Sequence, residues 1–520
     1  MNRRLKIVIC ILAAVFTAGC NRDIFLPDQA DHIPAEGSKI SISSLINLGS
    51  RNRHYVIEGS FSDYNVTDNS FMVADNTGRI KVKSADNIDD WREIFGKEGA
   101  VAVSGRLDKE IHEDGRTVFC LEDAHIEDVT TNVMIFFAAA FNNLSSDIKA
   151  NLKTMLSCAT PERNSPCKLI LVTHFSPDGS HFGTPAKVYV EQAYRESSRG
   201  LVRDTVYSTD ASSILDPDIM KGALAVVKER FPSADFGMIM SSHGTGWLPQ
   251  GYYGGSSTTV LFDSPTGHKR VLPLYRRNSQ EGPRVKTFGA EVLVRDGQRY
   301  SQEMDITALA QSIPMHLSYL LFDACLMGTI EVAYELRNVT DKLAASPAEV
   351  LSYGFDYTAS TELVSRTPSI EKFCEAYFNM YNNKTGINRS ATISVINTGR
   401  LDEFAALCSE LFAKYRGSLS ALGIDSGIQQ YYRYDNHWFY DIEDILNKAG
   451  ISSEDKARFD AALDACISYK AATPSFLKGS GGFDIGTFSG LSMYLPSAGN
   501  SSLSGNYKSL AWNKATNLVE

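Results

Sequence analysis

Hydrophobic and polar positions follow two different patterns along this chain, and the change falls near residue 130. Before it, short alternating or apolar segments are separated by Gly, Asn and Asp, which is typical of strands joined by turns. The strands predicted there are Lys39–Leu45, His54–Asp63, Ser70–Ser84, Ala100–Leu107 and Arg116–Glu127, and a helix is predicted over Asn87–Phe95. The first part of the chain is therefore expected to be mainly β-structure.

Five strands with a helix between the third and the fourth match the order of a small all-β OB-like barrel, which we place at residues 38–130. The stretch Phe71–Val82 resembles the third-strand region of that fold, with its Asp-x-Thr-Gly turn. A binder of nucleic acid or oligosaccharide would stack its ligand on aromatic residues, here Phe61, Tyr64 and Phe71. We favour a spacer or packing module instead, because the segment has no basic stripe.

After residue 130, apolar runs that predict buried strands alternate with segments that predict helices. The strands are Val133–Ala140, Lys168–His174, Lys187–Gln192, Phe236–Ser242 and His316–Phe322, with helices beginning near Asn142, Asp216 and Asp305. This alternation predicts an α/β fold with a mostly parallel sheet flanked by helices. We assign residues 131–390 to that domain and residues 391–520, with one more strand and three helices, to a C-terminal subdomain that completes it.

The connection between Gln250 and Ser301 interrupts the alternation. It is rich in Gly, Ser and basic residues and has no clear period. We therefore predict an irregular insertion, since connections of this length are usually functional or mobile.

The N-terminus has the pattern of an export signal. Arg3, Arg4 and Lys6 precede an apolar run, Ile7–Phe16, that is too short for a stable membrane anchor. The following Thr-Ala-Gly-Cys resembles the lipobox of bacterial lipoproteins, which implies that residues 1–19 are removed and that the sulfur of Cys20 is diacylated. Residues 20–37 would then form a tether, and the protein would be lipid-anchored in the cell envelope, in the periplasm or at the outer membrane or cell surface. An ordinary secretory signal is the alternative.

The composition and net charge of the chain limit the kinds of molecule that it is expected to bind. The 520 residues are 43% hydrophobic and 22% charged, with a formal net charge of -10, which argues against a general electrostatic grip on nucleic acid or anionic lipid. Of the nine cysteines, Cys158 and Cys167 bracket a short polar loop and could close a disulfide in an oxidising compartment. Four others lie in apolar patterns and are expected to be core residues: Cys120, Cys374, Cys408 and Cys466.

Two predicted strands end in residues that together can cleave an amide bond. His243 follows one of them and Cys325 the other, and parallel strands bring such ends to one edge of the sheet. A thiolate is the nucleophile that such a site needs, His243 can act as base and then as acid, and the backbone N–H groups of Gly244 and Cys325 can stabilise an oxyanion. His174 is a rival base, but no glycine follows it.

These motifs resemble the clostripain family, the C11 cysteine peptidases of the caspase-like clan. The matching segments are Ser242–Trp247, Phe322–Gly328, Glu331–Leu336 and Gly490–Pro496, and the likeness covers roughly residues 130–500. The resemblance implies a caspase-like sheet, a His243–Cys325 dyad, an oxyanion hole that includes Gly244, and endopeptidase activity. It also implies that the chain can cut itself between the two motifs, where the basic stretch 268–299 offers a place; a solvated insertion is the simpler interpretation.

Family members often cleave after Arg or Lys with acidic residues in the S1 pocket. Asp323 matches one of these acids, whereas Tyr353 stands where a second is expected, with Glu349 and Asp356 as nearby substitutes. No metal-ligand spacing is readable and no cofactor is expected, although some relatives use calcium. The alternative to a peptidase is a catalytically degenerate protein that presents the OB-like module to a glycan or protein partner. Nucleic acid binding through residues 38–129 is a third, less favoured hypothesis.

Overall fold

The structure is a computed structural model, and it describes most of the chain in thirteen stretches. These are residues 37–88, 100–111, 117–163, 165–176, 186–196, 199–231, 234–249, 258–263, 269–275, 289–295, 298–433, 438–499 and 501–520. The predicted signal sequence, the lipid site Cys20, nearly all of the tether and most of the predicted helix Asn87–Phe95 lie outside them. The chain divides into two compact units, with the main boundary between Glu127 and Asp128.

The first unit contains a closed five-stranded barrel, as predicted. Its elements are α1 (Ile42–Leu48), β1 (His54–Asn65), β2 (Ser70–Asp75), β3 (Gly78–Ser84), β4 (Ala100–Ile111) and β5 (Thr117–Thr130). The strands follow the order β1-β2-β3-β5-β4 around the barrel. Closure pairs the edges that an open sheet would leave exposed.

Two of the predicted barrel strands are wrong. Lys39–Leu45 was expected to be a strand, but most of it belongs to α1, because Ser41 caps the helix and Ile42 and Leu45 are buried at a helical spacing of three. Ser70–Ser84 was expected to be one strand, but it is the hairpin β2–β3, which turns at the Asp-x-Thr-Gly motif. The carboxylate of Asp75 in that turn also accepts the backbone N–H of Ile42 at 2.8 Å.

The second unit is built on a nine-stranded sheet with further helices and small sheets. The strands of the large sheet, whose ranges follow, are arranged in the order β19-β17-β16-β15-β10-β6-β7-β8-β9. Its strands are β6 (Asn132–Ala140), β7 (Cys167–Phe175), β8 (Ala186–Glu196), β9 (Gly200–Ala211), β10 (Asp235–Ser241), β15 (Tyr319–Asp323), β16 (Lys342–Ala345), β17 (Thr392–Asn397) and β19 (Ile467–Ala472).

The helices of this unit are α2 (Ser145–Ala159), α3 (Pro217–Arg230), α4 (Ile306–Ser312), α5 (Ile330–Glu335), α6 (Ile370–Asn382), α7 (Leu401–Lys414), α8 (Arg416–Ala421), α9 (Ile442–Lys448), α10 (Ser453–Cys466), α11 (Ser501–Tyr507) and α12 (Ala511–Thr516). The remaining strands are β11 (Thr258–Asp263), β12 (Lys269–Tyr275), β13 (Glu291–Arg295), β14 (Gln298–Gln302), β18 (Tyr440–Asp441), β20 (Ser475–Phe476), β21 (Phe483–Asp484) and β22 (Ser492–Met493). None of the helices within the described stretches is long and apolar enough to cross a bilayer.

The predicted α/β fold class is confirmed, with parallel pairing at the centre of the sheet. The five strands β16, β15, β10, β6 and β7 are parallel, whereas β17 and β19 on one side and β8 and β9 on the other are joined antiparallel. Every residue of β6 and of β15 is buried. Strands buried on both faces read as continuous apolar runs, which is why the sequence identified them.

Three further features of this unit differ from the sequence-based expectations. The strand β9 was not predicted, and the stretch between Gln250 and Ser301, expected to be irregular, contains the four-stranded sheet β11-β12-β14-β13. The thiols of Cys158 and Cys167, considered as a disulfide, are both free in the structure: Cys158 is exposed near the end of α2, and Cys167 is buried at the start of β7. The four cysteines expected in the core are buried.

Candidate active site

The two sequence motifs end on neighbouring strands in matching register. β10 and β15 pair in parallel, with Ser241 opposite Asp323 as the last pair. His243 and Cys325 each come two residues after that pair, at the carboxyl edge of the sheet. Both are buried, with 1% and 0% of their surface exposed. The fold therefore delivers the histidine and the cysteine to one edge through equal lengths of chain.

The loops that carry these residues also approach each other. Gly246, three residues after His243, has φ +61°, and a Cβ atom there would lie 2.6 Å from the carbonyl oxygen of Leu326. A side chain larger than that of glycine would push the two loops apart. Leu326 itself has φ +59°, a costly conformation for leucine, directly after the cysteine. Such strain persists only where the surroundings fix the backbone, as they do here through the hydrogen bond of 2.9 Å from the Leu326 N–H to Ala348.

The sulfur of Cys325 is covered by backbone. The N–H of Val350 donates to Sγ at 3.2 Å, and the thiol lies 3.7 Å from the carbonyl oxygen of Val350. Val350 begins a segment, Val350–Tyr357, that we call the cover segment. In the arrangement seen here Cys325 has no exposed surface.

The other end of the cover segment lies on Asp323. The hydroxyls of Ser241 and Tyr357 donate to Oδ2 of Asp323 at 3.0 and 2.9 Å. Burial above all, together with the adjoining Asp323, raises the pKa of Tyr357 well above its usual value, so its hydroxyl remains a donor. Gly354, with φ +70°, fits between Asp323 and α2, where a Cβ atom would lie 2.4 Å from the side chain of Asn151.

The two acids considered as substitutes for the second S1 carboxylate make other contacts. Glu349 forms an ion pair with Arg433, with Oε2 2.8 Å from Nε, and these side chains are only 4% and 3% exposed. The carboxylate of Asp356 accepts the N–H and the hydroxyl of Thr358 at the start of a 3₁₀ turn. Tyr353, at the position where an acid was expected, is 66% exposed.

His243 has a side-chain partner that the sequence analysis did not name. Its Nε2 lies 2.8 Å from Oδ1 of Asn143, three residues after β6. β6 adjoins β10 in the sheet, with Ala138 opposite Ser241. His243 and Cys325 were identified because each lies just after a buried strand. Asn143 lies just after a buried strand as well.

The rival histidine, His174, belongs to a different cluster. Its Nδ1 lies 2.9 and 3.0 Å from the two carboxylate oxygens of Glu291, and its ring stacks on Phe141 with the centroids 4.8 Å apart. Glu291 also accepts the hydroxyl of Ser213 and the N–H of Ile214, at 2.7 and 2.9 Å. His174 thus holds the start of β13 against the main sheet.

A buried carboxyl group lies next to the cysteine loop. Glu331, in the first turn of α5, accepts the N–H of Tyr494 at 2.8 Å and the hydroxyl of Tyr507 at 2.7 Å. Burial raises the pKa of Glu331 to about 7. Both tyrosine rings pack on Trp247, with centroids within 4.9 Å, so the group joins the helix after Cys325, the loop after His243 and the C-terminal region.

Residues 292–515 match the clostripain family of C11 peptidases. This part of the chain is similar to members of that family. The match includes Cys325, Asp323 and the cover segment, and it begins after His243. No curated protein matches the chain.

Solved structures of C11 proteases share the fold over about three quarters of this chain. A secreted C11 cysteine protease from Bacteroides thetaiotaomicron, called iotapain, is 22% identical, with a TM-score of 0.58 over 74% of this chain and 99% of its own. A secreted C11 cysteine protease from the same organism, solved in complex with an irreversible peptide inhibitor, is 20% identical, with a TM-score of 0.57 over 75% of this chain and 100% of its own. An inactive zymogen C11 protease from Parabacteroides distasonis is 22% identical, with a TM-score of 0.56 over 74% of this chain and 98% of its own.

Proposed function

We propose that this chain is an exported cysteine endopeptidase in which His243 and Cys325 form the catalytic dyad. The observation that carries the proposal is the register of β10 and β15, which places both residues two positions beyond one strand pair. His243 takes the thiol proton, and the sulfur attacks the carbonyl carbon of the peptide bond. The N–H groups of Gly244 and Cys325 stabilise the resulting oxyanion. The imidazolium then protonates the leaving amine, and water hydrolyses the thioester.

A peptide is the substrate class that this proposal requires. One of the similar C11 proteases binds an irreversible peptide inhibitor, and we carry that ligand class over to this chain. The covered thiol fits a site that opens when an extended peptide binds, since the cover segment contacts both Cys325 and Asp323.

Preference for Arg or Lys before the cleaved bond is a finer proposal. Asp323 supplies one fully buried carboxylate, held by two hydroxyl donors, two residues before the nucleophile. A basic side chain needs at least one such charge in its pocket. Because Glu349 and Asp356 make other contacts, we expect the preference to depend on Asp323.

The experiment that tests the activity uses recombinant residues 21–520 with a mixed peptide library and a thiol-reactive peptide probe. We expect cleavage, and labelling of Cys325, in the wild type, and neither in Cys325→Ala. His243→Ala should lose labelling while its unfolding midpoint stays near that of the wild type. The exposed thiol of Cys158 provides the control, because Cys158→Ala should keep full activity. A wild type that neither cleaves nor labels would favour the degenerate binding protein instead.

Anchoring through Cys20 is a separate proposal. It is supported by the basic residues, the short apolar run and the small residues that precede the cysteine. In a bacterial host fed a labelled fatty acid, the full chain should incorporate label and sediment with membranes. Cys20→Ser should do neither, and label on that variant would contradict the assignment.

A further inference from the structure

We propose that Asn143 is a positioning residue that fixes the tautomer and orientation of the His243 ring. This inference rests on the proposed dyad and adds a third member to it. The carrying observation is the contact of 2.8 Å between Nε2 of His243 and Oδ1 of Asn143, at the one sheet edge where β6, β10 and β15 end side by side.

The chemistry follows from what each atom can do in a hydrogen bond. An amide oxygen can only accept, so the ring must carry its proton on Nε2. The basic lone pair is then on Nδ1, the nitrogen that would take the proton of Cys325. Without the amide oxygen, the ring would lose the bond that favours a proton on Nε2, and the fraction that carries its proton on Nδ1 would be unable to act as base.

The loop that carries Asn143 is held on its other side by its neighbour Asn142. The side-chain amide of Asn142 donates to the carbonyl oxygens of Ala139 and Ala290, at 3.0 and 2.9 Å, and its oxygen accepts the N–H of Leu144 at 2.9 Å. Asn142 is 1% exposed. These three bonds fix the turn that follows β6, so the position of Asn143 is set by buried backbone.

A second support comes from the start of β13. Glu291 accepts the N–H of Phe141 at 3.3 Å, and the N–H of Val292 donates to the carbonyl oxygen of Phe141 at 2.8 Å. Since the carboxylate of Glu291 is itself held by His174 and Ser213, the residues just before Asn143 are clamped from both directions. The inserted segment that contains β13 thereby holds Phe141, which lies two residues before Asn143, the partner of the proposed base.

An amide serves here differently from a carboxylate. It orients the imidazole without adding a negative charge that would hold His243 in its protonated form. A positioning role therefore predicts that an isosteric acceptor at this position keeps the geometry, whereas removal of the acceptor loses it.

The test compares Asn143→Ala with Asn143→Asp on a cleaved peptide substrate. We expect Asn143→Ala to lower kcat by about 100-fold, the lower end of what positioned acid–base groups contribute, with KM within about twofold. Asn143→Asp keeps an acceptor oxygen but adds a negative charge that favours protonated His243, so it should recover most of kcat only at higher pH, with the acidic limb of the kcat–pH profile shifted upward. The matched control is Asn388→Ala, an exposed asparagine, which should leave both constants unchanged.

The outcomes separate this inference from the proposed activity. If the wild type cleaves and Asn143→Ala keeps its kcat, the positioning role is wrong while the dyad stands. If both Asn143 variants lose activity together with their unfolding midpoint, Asn143 is structural and the inference also falls. If the wild type neither cleaves peptides nor reacts with the peptide probe, the proposed function fails first.

Discussion

The backbone N–H of Val350 donates a hydrogen bond of 3.2 Å to the sulfur of Cys325. The contact covers the thiol with backbone. Reactivity at this site should therefore be limited by access.

Alkylation should distinguish the covered thiol from an exposed one. In native protein treated with iodoacetamide, we expect Cys158 to be modified at least about tenfold faster than Cys325, since Cys158 is exposed and Cys325 is fully buried. Peptide mapping by mass spectrometry at several times gives both rates. Equal rates in folded protein would show that the cover segment does not shield the sulfur.

Replacement of Asp323 should change which substrates are cleaved. Asp323→Asn keeps acceptor capacity for Ser241 and Tyr357 but removes the negative charge. We expect kcat/KM for peptides with Arg or Lys before the cleaved bond to fall by about 10- to 100-fold, the loss typical of one charged hydrogen bond, with little change for neutral residues. Asp356→Asn is the matched control and should retain the preference. An equal loss on neutral and basic peptides would assign Asp323 to structure alone.

The free energy of unfolding should fall as pH rises, because of the raised pKa of Glu331. Burial raises the pKa of this group from 4.5 to about 7, so between those values the folded protein holds a proton that the unfolded chain has released. The stabilising contribution is fully present below pH 4.5 and is lost as pH rises through about 7, by about 3 kcal/mol in total.

The variant that tests this is Glu331→Gln, which keeps an acceptor for Tyr494 and Tyr507. Chemical denaturation at pH 5, 6, 7 and 8 should give a flatter dependence for the variant than for the wild type. Parallel curves would contradict the assignment to Glu331.

The buried Glu349–Arg433 pair should show strong coupling. Burial raises the pKa of Glu349, and the guanidinium of Arg433 opposes that shift. Arg433→Met leaves a buried carboxyl group unpaired, and we expect a loss of about 3–5 kcal/mol in the free energy of unfolding. The double variant Glu349→Gln/Arg433→Met should recover much of it. Additive losses in this double-mutant cycle would show that the two side chains act independently.

The sequence predicted the centre of the large sheet because its strands are apolar throughout. β6 and β15 bury every residue, so the pattern alone marked them, and the ends of β10 and β15 marked His243 and Cys325. β9 was missed for the opposite reason: it is an edge strand with mostly exposed residues and no apolar run. In the barrel, the apolar residues of Lys39–Leu45 suited a strand or a helix equally, and the bond from Ile42 to Asp75, 33 residues away, accompanies the helix.

The finer parts of the site depend on contacts that a linear sequence does not show. Val350 reaches the sulfur through its backbone, which any residue other than proline could do. The Cys158–Cys167 spacing suited a disulfide, but one thiol is exposed and the other is buried. Asn143 could have been found by asking which polar residues follow each buried strand, but asparagine is so common after strands that the signal is weak.

The large sheet is assembled from two consecutive lengths of chain that meet at a single seam. β6 to β10 occupy one side of it and β15 to β19 the other, and only the pairing of β10 with β15 joins them within the sheet. His243 comes from the first length and Cys325 from the second. If the chain were divided between β10 and β15 and expressed as two polypeptides, the proposed dyad would be complete only where the two halves reassociate. The fold is therefore suited to fragment complementation, with proteolysis as the reporter.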